Sequence, residues 1–265
     1  MNTVVNVFWT GGLDSTYRIC ELSLIDHVEI HPIYVKFRHN CKEELNAIEI
    51  MSKKIIANPL TKATLFPIKV VDIDTITIDK DIYEAYEWVK EHNIVELGLK
   101  RFPIQYMYLA SFCKKEKLFC EISIEDEPHN RMKMAINKFG LLSDNQYSIE
   151  GVRYYALDKV NSNEYLYSLL QYFHFPNPLY HMSKQEEIKK YKEYGYESII
   201  GDTWFCHNPI KGKPCGYCSP CRQVMIAGMS YRLPKAALWR NRFSYFFLLW
   251  HDKLSPIIKR INERV

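Results

Sequence analysis

Apolar residues open the chain as a run, Val4 to Trp9, rich in β-branched and aromatic side chains and without strict alternation. Such a run predicts a strand buried on both faces. Gly11 and Gly12 break it, and from Asp14 to Leu24 the apolar positions recur at helical spacing. A second strand is predicted over Val28 to Val35, completing a βαβ unit of about 30 residues, the length of a right-handed parallel crossover. Cys41 to Ala57 is a clear amphipathic helix, and Phe66 to Asp74 reads as a third strand. Helical patterns over Ile82 to His92 and Ile104 to Lys115 precede a fourth strand at Lys117 to Glu125. Tyr147 to Phe173 predicts a helix heavy in aromatic residues. Ser183 to Gly195 is better signed, with a serine cap, Glu186 three residues on and a terminating glycine. Leu233 to Ile261 predicts one or two amphipathic helices.

Strands alternating with helices predict an α/β fold, a Rossmann-like, doubly wound parallel sheet with helices on both faces. The expected organisation is an α/β domain over 1–205, a cysteine-rich region over 206–232 and a helical extension over 233–265.

Composition changes this picture little. At 265 residues, 47% hydrophobic and 25% charged, the chain has ordinary globular proportions. Its 35 basic and 31 acidic residues leave a net charge of +4, too balanced to announce a nucleic-acid binder, and no direct nucleic-acid contact is expected. Met1 to Asn6 lacks the basic start of a secretory signal, and the apolar run Phe243 to Trp250 is far shorter than the roughly 18–20 residues of a membrane span. The expectation is a cytoplasmic protein with no membrane partner. Of eight cysteines, Cys20, Cys41, Cys113 and Cys120 are dispersed and four cluster, which suits reduced thiols and a metal site.

Two stretches carry candidate chemistry. In Thr10-Gly-Gly-Leu-Asp-Ser-Thr16 the glycines follow a predicted strand, where backbone N–H groups can approach an anion at the start of a helix. Thr10, Ser15 and Thr16 add hydroxyls. Asp14 repels phosphate unless it holds a metal ion or orients the loop. The pattern is neither a dinucleotide fingerprint nor a Walker loop, and a plain structural corner accounts for the glycines equally well on these residues alone. The second stretch holds Cys206, Cys215, Cys218 and Cys221, spaced C-x8-C-x2-C-x2-C. Four thiolates on short turns can close a tetrahedral zinc shell, the structural type of site, with an iron–sulfur cluster or disulfides as the alternatives.

Thr10 to Thr16 resembles the S-G-G-x-D-S loop of the ATP pyrophosphatases, with threonine in place of the first serine. Joined to Met182-Ser-Lys-Gln-Glu-Glu-Ile and to Thr203-Trp-Phe-Cys206 opening the cysteine cluster, it resembles the QueC family of 7-cyano-7-deazaguanine synthases over roughly residues 3 to 230. The resemblance implies a HUP-like (adenine nucleotide alpha hydrolase-like) fold with a structural Zn²⁺, usually in a homodimer. It implies an ATP-dependent carbon–nitrogen ligase that adenylates 7-carboxy-7-deazaguanine with Mg²⁺, releases pyrophosphate, and passes the acyl group to ammonia on the way to a nitrile. Phe8, Trp9, Thr10, Gly11, Gly12, Leu13, Asp14, Ser15 and Thr16 then become the ATP loop, with Tyr34 and Val35 holding adenine through main-chain contacts. Asp14, Ser15 and Lys184 become catalytic, Arg38, His39, Gln105 and Arg131 line the substrate site, and the four cysteines hold the metal.

Two elements depart from the family. Its P-x-R-N helix start is here Pro103-Ile-Gln105-Tyr106, without the arginine, and its Y-P-D-C-R segment is reduced to Pro128-His-Asn-Arg131. Both belong to the acceptor half of the reaction. An added tail rich in aromatic and arginine residues suits either packing on the chain itself or a protein partner. The alternatives are an antiviral-defence relative that joins the deazaguanine to a protein amine, a catalytically silent nucleotide-binding scaffold, and a thiolation enzyme using an exposed Cys113 or Cys120.

Overall fold

The computed structural model describes residues 2–37, 41–99, 101–124, 126 and 130–243. Two compact units divide the chain, Met1–Thr203 and Trp204–Val265.

In the first unit the apolar opening forms strand β1 (Thr3–Phe8), the helical spacing after the glycines gives α1 (Leu13–Ser23), and β2 (Val28–Lys36) lies parallel to β1 with Val7 opposite Pro32. Helix α2 (Lys42–Ala57) follows. Of the predicted third strand, Phe66 to Asp74, only β4 (Lys69–Asp72) forms, and a short β3 (Thr64–Leu65) precedes it; both lie parallel to β2 along one edge. Pro67 stands in the gap, where a residue without an N–H cannot continue the ladder. Asp79 caps α3 (Lys80–Leu97), accepting from Asp81 N and Ile82 N, so the helix runs longer at both ends than its apolar period indicated. After α4 (Gln105–Glu116), β5 (Cys120–Glu121) pairs with β1 on the side away from β2.

The stretch predicted as one aromatic helix, Tyr147 to Phe173, is corrected by the structure. Helix α5 (Arg131–Phe139) leads into an antiparallel hairpin of β6 (Leu142–Gln146) and β7 (Arg153–Leu157), then α6 (Glu164–Leu170) and β8 (Phe173–Asn177). Turn chemistry outweighs the apolar period here. Gly151 takes φ +84° between the two hairpin strands, Asp158 accepts from Val160 N and Asn161 N to end β7, and Asn163 caps α6. Helices α7 (Lys184–Glu193) and α8 (Glu197–Ile200) complete the unit, the former with the predicted Ser183/Glu186 capping box.

Strand order is β3-β2-β1-β5-β8-β7-β6, with β4 also on β2. The strands from β3 to β8 are parallel, and β7 and β6 add an antiparallel edge. This is a Rossmann-like α/β sheet with helices on both faces. Helices α3 to α6 bury Phe8, Ile33, Cys120, Ile122 and Phe175 on one face. On the other lies α1, pinned by the buried Arg18 guanidinium, which donates twice to the Glu121 carboxylate of β5 at 2.6 and 2.7 Å. From β1 the chain winds outward through β2 to one edge and returns through β5 to the other. The reversal between β1 and β5 is the topological switch point, where such sheets bind ligands beyond their carboxyl ends.

The second unit holds α9 (Ser219–Ile226) and α10 (Lys235–Arg242). The rest of the predicted tail helix, from residue 244 on, lies outside the described residues. Among the described residues no helix is long and apolar enough to cross a membrane.

Candidate functional site

The glycine loop leaves the end of β1 at the switch point. Gly11 has φ +73°, and a Cβ there would stand 3.1 Å from Ile48 Cγ1 and 3.2 Å from the Glu44 carbonyl oxygen of α2. Glycine at 11 is thus required twice, by its left-handed backbone and by the close approach of α2. The loop is held open from within: Thr10 N and Thr10 Oγ1 lie 3.3 and 3.2 Å from Ser15 Oγ, and Gly12 N donates to Thr10 Oγ1 at 3.4 Å. Among the described residues no side chain caps the start of α1, so its first N–H groups and dipole face the loop.

The residues expected to bind ATP divide into two groups. Thr10 is exposed, Gly12, Leu13 and Asp14 are half-buried, and Gly11 and Ser15 are buried within the loop. Phe8, Trp9 and Thr16 turn inward instead. Phe8 belongs to the core, and the fully buried Trp9 Nε1 donates to Thr16 Oγ1 at 2.8 Å, which in turn faces Met51 Sδ. The Thr16 hydroxyl is engaged inside the protein and does not reach the loop surface.

Helix α7 brings Lys184 to this loop. Tyr191 OH donates to the Leu13 carbonyl at 2.7 Å and packs edge-on against Tyr17 of α1, seating α7 beside the start of α1. Lys184 Nζ then donates to the Asp14 carboxylate and lies 3.6 Å from Glu187 Oε1. Burial pushes the Lys184 ammonium below the usual lysine range, with Glu187 opposing. Burial likewise raises the Glu187 carboxyl to about 7, against the pull of Lys184. Asp14 therefore has a partner, which answers the objection that a carboxylate has no place among phosphate donors.

Tyr34 and Val35 lie near the end of β2, beyond the last residue of β1. The Ile33 carbonyl accepts from Trp9 N at 2.9 Å, so strand alternation turns the main chain of Val35 to the same side, above the loop, and that of Tyr34 into the β4 ladder. The Tyr34 side chain is buried, its phenol donating to Glu44; burial, then that carboxylate, push its pKa up. Of the expected substrate residues, Arg38 and His39 lie outside the described residues. Gln105 is the exposed first residue of α4, while Tyr106 beside it is packed into the core. Arg131, half-buried, opens α5, and Asn130 caps that helix through Met132 N and Lys133 N.

In the second unit the four clustered cysteines are buried with all Sγ atoms within 4.8 Å of one another. A tetrahedral ion with bonds of about 2.3 Å to thiolates sets sulfurs about 3.8 Å apart. Cys215 to Cys221 measures 3.8 Å and Cys218 to Cys206 measures 4.0 Å. These spacings are far too long for disulfides and leave no room for the several irons of a cluster, so the residues fit one Zn²⁺. Backbone N–H groups of Cys215, Gly216 and Cys218 point at the sulfurs of Cys206, Cys221 and Cys215. Helix α10 backs this knuckle: Arg240 Nε donates to the Cys215 carbonyl at 2.7 Å, and a Cβ on Gly216 would lie 2.0 Å from the Ala237 oxygen. The first turns of the extension are thus packed on the metal-binding turn, and Trp239 and Phe243 stay largely exposed. Cys113 and Cys120 are fully buried in the other unit, which removes the exposed thiol a thiolation enzyme requires.

Fold and sites together define a Rossmann-like protein with a glycine loop at its switch point and a four-cysteine centre suited to zinc. Residues 156–227 match the family model for "Queuosine biosynthesis protein QueC", a little over a quarter of the chain, running from β7 through Lys184 and all four cysteines. Over that segment the chain is QueC-like. No curated protein matches it.

Sequence reasoning missed Lys133 of α5, whose ammonium is buried and bonded to Asp126 Oδ1 at 2.9 Å and to the Tyr180 carbonyl. A lysine within a helical period carries no sign of burial, and only the hydrophobic face of α5 around it marks the position.

Proposed function

We propose that the protein is an ATP-dependent ligase that adenylates a carboxylate, that of 7-carboxy-7-deazaguanine, releases pyrophosphate and transfers the acyl group to nitrogen. The observation that carries this reading is the meeting of Lys184 with Asp14 at the glycine loop, which joins two motifs 170 residues apart at the switch point. The match to QueC supports it over the segment that contains Lys184.

A carboxylate is a poor electrophile until its oxygen becomes part of a leaving group, so ATP is cleaved between the α- and β-phosphates. The start of α1 and the hydroxyls of Thr10 and Ser15 receive the departing pyrophosphate. Lys184, a point charge on a flexible stem, shifts from Asp14 to phosphate as the triphosphate binds. Mg²⁺ would be held by Asp14 and would neutralise charge on the phosphates. The Val35 main chain, turned toward the crevice, reads adenine. Zn²⁺ held by the four cysteines would be structural, since four thiolates would leave no open position for catalysis.

Ammonia as the nitrogen source gives the amide and then the nitrile. The loss of the arginine at Gln105 and the burial of Tyr106 favour a second reading in which a protein amine is the acceptor and the exposed Trp239 and Phe243 contact the partner. Cytoplasmic location and a homodimer accompany either reading. Incubation with ATP and 7-carboxy-7-deazaguanine yields AMP and pyrophosphate. Mass spectrometry then separates free nitrile from a conjugated protein, and ATP binding without turnover would leave only a scaffold.

A further inference from the structure

Lys133 occupies a position that elementary energetics disfavours. It lies in the first turn of α5, where the helix dipole repels a cation and no acidic residue in that turn compensates. Its side chain is 8% exposed, so the ammonium is also largely stripped of water. Two of its three hydrogens are placed, on Asp126 Oδ1 and on the Tyr180 carbonyl, and the charge stands 4.0 Å from the centre of the Tyr180 ring. Next to it the Tyr180 hydroxyl is buried without a hydrogen-bond partner among the described residues, although the ring is 4% exposed and packed against Phe175 and Tyr155. A buried cation with a hydrogen to give and an orphaned hydroxyl beside an aromatic wall are the groups that hold the carboxylate of a planar aromatic acid.

The topology sets this pair beside the glycine loop. Strands β1 and β5 are parallel with Val7 opposite Glu121, so the residues that directly follow β5 leave the same end of the sheet as the glycine loop. Tyr180 lies in the short turn between β8 and α7, the helix whose Lys184 donates to Asp14, so the pair and the loop share the carboxyl end of the sheet.

We propose that Lys133 and Tyr180 bind the carboxylate-bearing acceptor, holding the carboxyl oxygen that is not transferred to phosphorus; this rests on the ligase reading above. In adenylation the other carboxylate oxygen bonds to the α-phosphorus and the bond to pyrophosphate breaks, pyrophosphate leaving with the electron pair. In the second step nitrogen attacks the carboxyl carbon, the carbon–oxygen bond to AMP breaks, AMP leaves with the pair, and nitrogen loses one proton. The retained oxygen is anionic in the free acid, carbonyl in the adenylate and anionic again when nitrogen adds. Lys133 and the Tyr180 hydroxyl donate to it at each stage, most strongly when it is charged.

The test uses the full-length chain with 7-carboxy-7-deazaguanine as probe, and variants Lys133→Met, Lys133→Arg and Tyr180→Phe. Pyrophosphate release gives the KM for each substrate, titration with a non-hydrolysable ATP analogue gives nucleotide affinity, and thermal melting reports folding. Lys133→Met is expected to raise the acceptor KM roughly ten- to hundredfold, the range for a hydrogen bond to a charged group, with nucleotide affinity within about twofold of wild type. Lys133→Arg recovers part of that loss, and Tyr180→Phe shows a smaller rise. Asp126 is half-exposed and regains water when its cation is removed, so the melting temperature of Lys133→Met falls by only a few degrees. An unchanged acceptor KM in Lys133→Met, or a drop in melting temperature matched by equal losses for both substrates, overturns the assignment and leaves the ligase reading intact. Wild type that releases no pyrophosphate with the acid fails the ligase reading itself, and the assignment with it.

Discussion

Gly11→Ala separates what the glycine loop owes to its backbone from what it owes to its neighbours. Placing an L side chain at φ +73° costs about 1–2 kcal/mol. The new methyl also meets Ile48 Cγ1 at 3.1 Å and the Glu44 oxygen at 3.2 Å, and of these only the isoleucine can move. Overpacking of this kind adds about 1–3 kcal/mol, for a total of about 2–5 kcal/mol. Gly151→Ala is the matched control, since Gly151 has φ +84° with no described atom within 4 Å of its Cβ and carries the backbone cost alone. For a unit of this size 1 kcal/mol shifts the melting temperature by about 2–4 °C, so Gly11→Ala should fall roughly 4–20 °C and Gly151→Ala roughly 2–8 °C. Calorimetry and urea unfolding of both variants measure this, and titration with an ATP analogue shows whether affinity is lost only in Gly11→Ala. Equal stability of the two variants would refute the claim that α2 closes on the loop at Gly11. Unaltered nucleotide affinity in Gly11→Ala would refute the claim that this loop binds phosphate.

Three further outcomes are expected. Elemental analysis should find one zinc per chain, and Cys221→Ser should lose it and render the second unit sensitive to protease; full metal occupancy in the variant would contradict the four-thiolate shell. Arg18→Met leaves the Glu121 carboxylate buried without its cation, and urea unfolding should register a loss of about 3–5 kcal/mol, whereas a loss under about 1 kcal/mol would show that this pair does not pin α1 to the sheet. His174 accepts from Tyr147 OH or donates to it at 2.9 Å, stacks on Tyr154, and is held by burial at about 4, below its unfolded value of about 6.5. The unfolded chain therefore binds the proton first, and the contribution of His174 to stability, up to about 3 kcal/mol, is present above about pH 6.5 and lost as pH falls toward 4. The wild-type-minus-His174→Gln difference isolates it, because the opposite titration of Glu187, raised to about 7, cancels between the two; a flat difference across that window would refute the buried neutral imidazole.

Much of the fold was legible because local signals agreed. The β1 run, the break at Gly11, the α1 spacing and the Ser183/Glu186 box each named an element that the structure contains. Tyr147 to Phe173 was misread because tyrosine suits strand and helix alike, and the turn residues Gly151, Asp158 and Asn163 carried the information. The four cysteines were visible as a spacing, and their sulfur separations narrow the alternatives to a single ion. Within the loop, sequence named Thr16 as a hydroxyl for phosphate, yet its neighbour Trp9 takes that oxygen, a pairing set by which way the strand faces. Lys133 and Tyr180 were illegible because their meaning lies in burial and in a contact across 47 residues.

The central claim is that the Thr10 to Thr16 loop serves cleavage of ATP at its α-phosphorus. Purified protein with ATP, Mg²⁺ and 7-carboxy-7-deazaguanine, quenched and resolved by chromatography, tests it most directly. AMP and pyrophosphate are expected in equal amounts, dependent on the carboxylate and sharply reduced in Lys184→Met. ADP with inorganic phosphate, or no nucleotide cleavage in wild type, would contradict it.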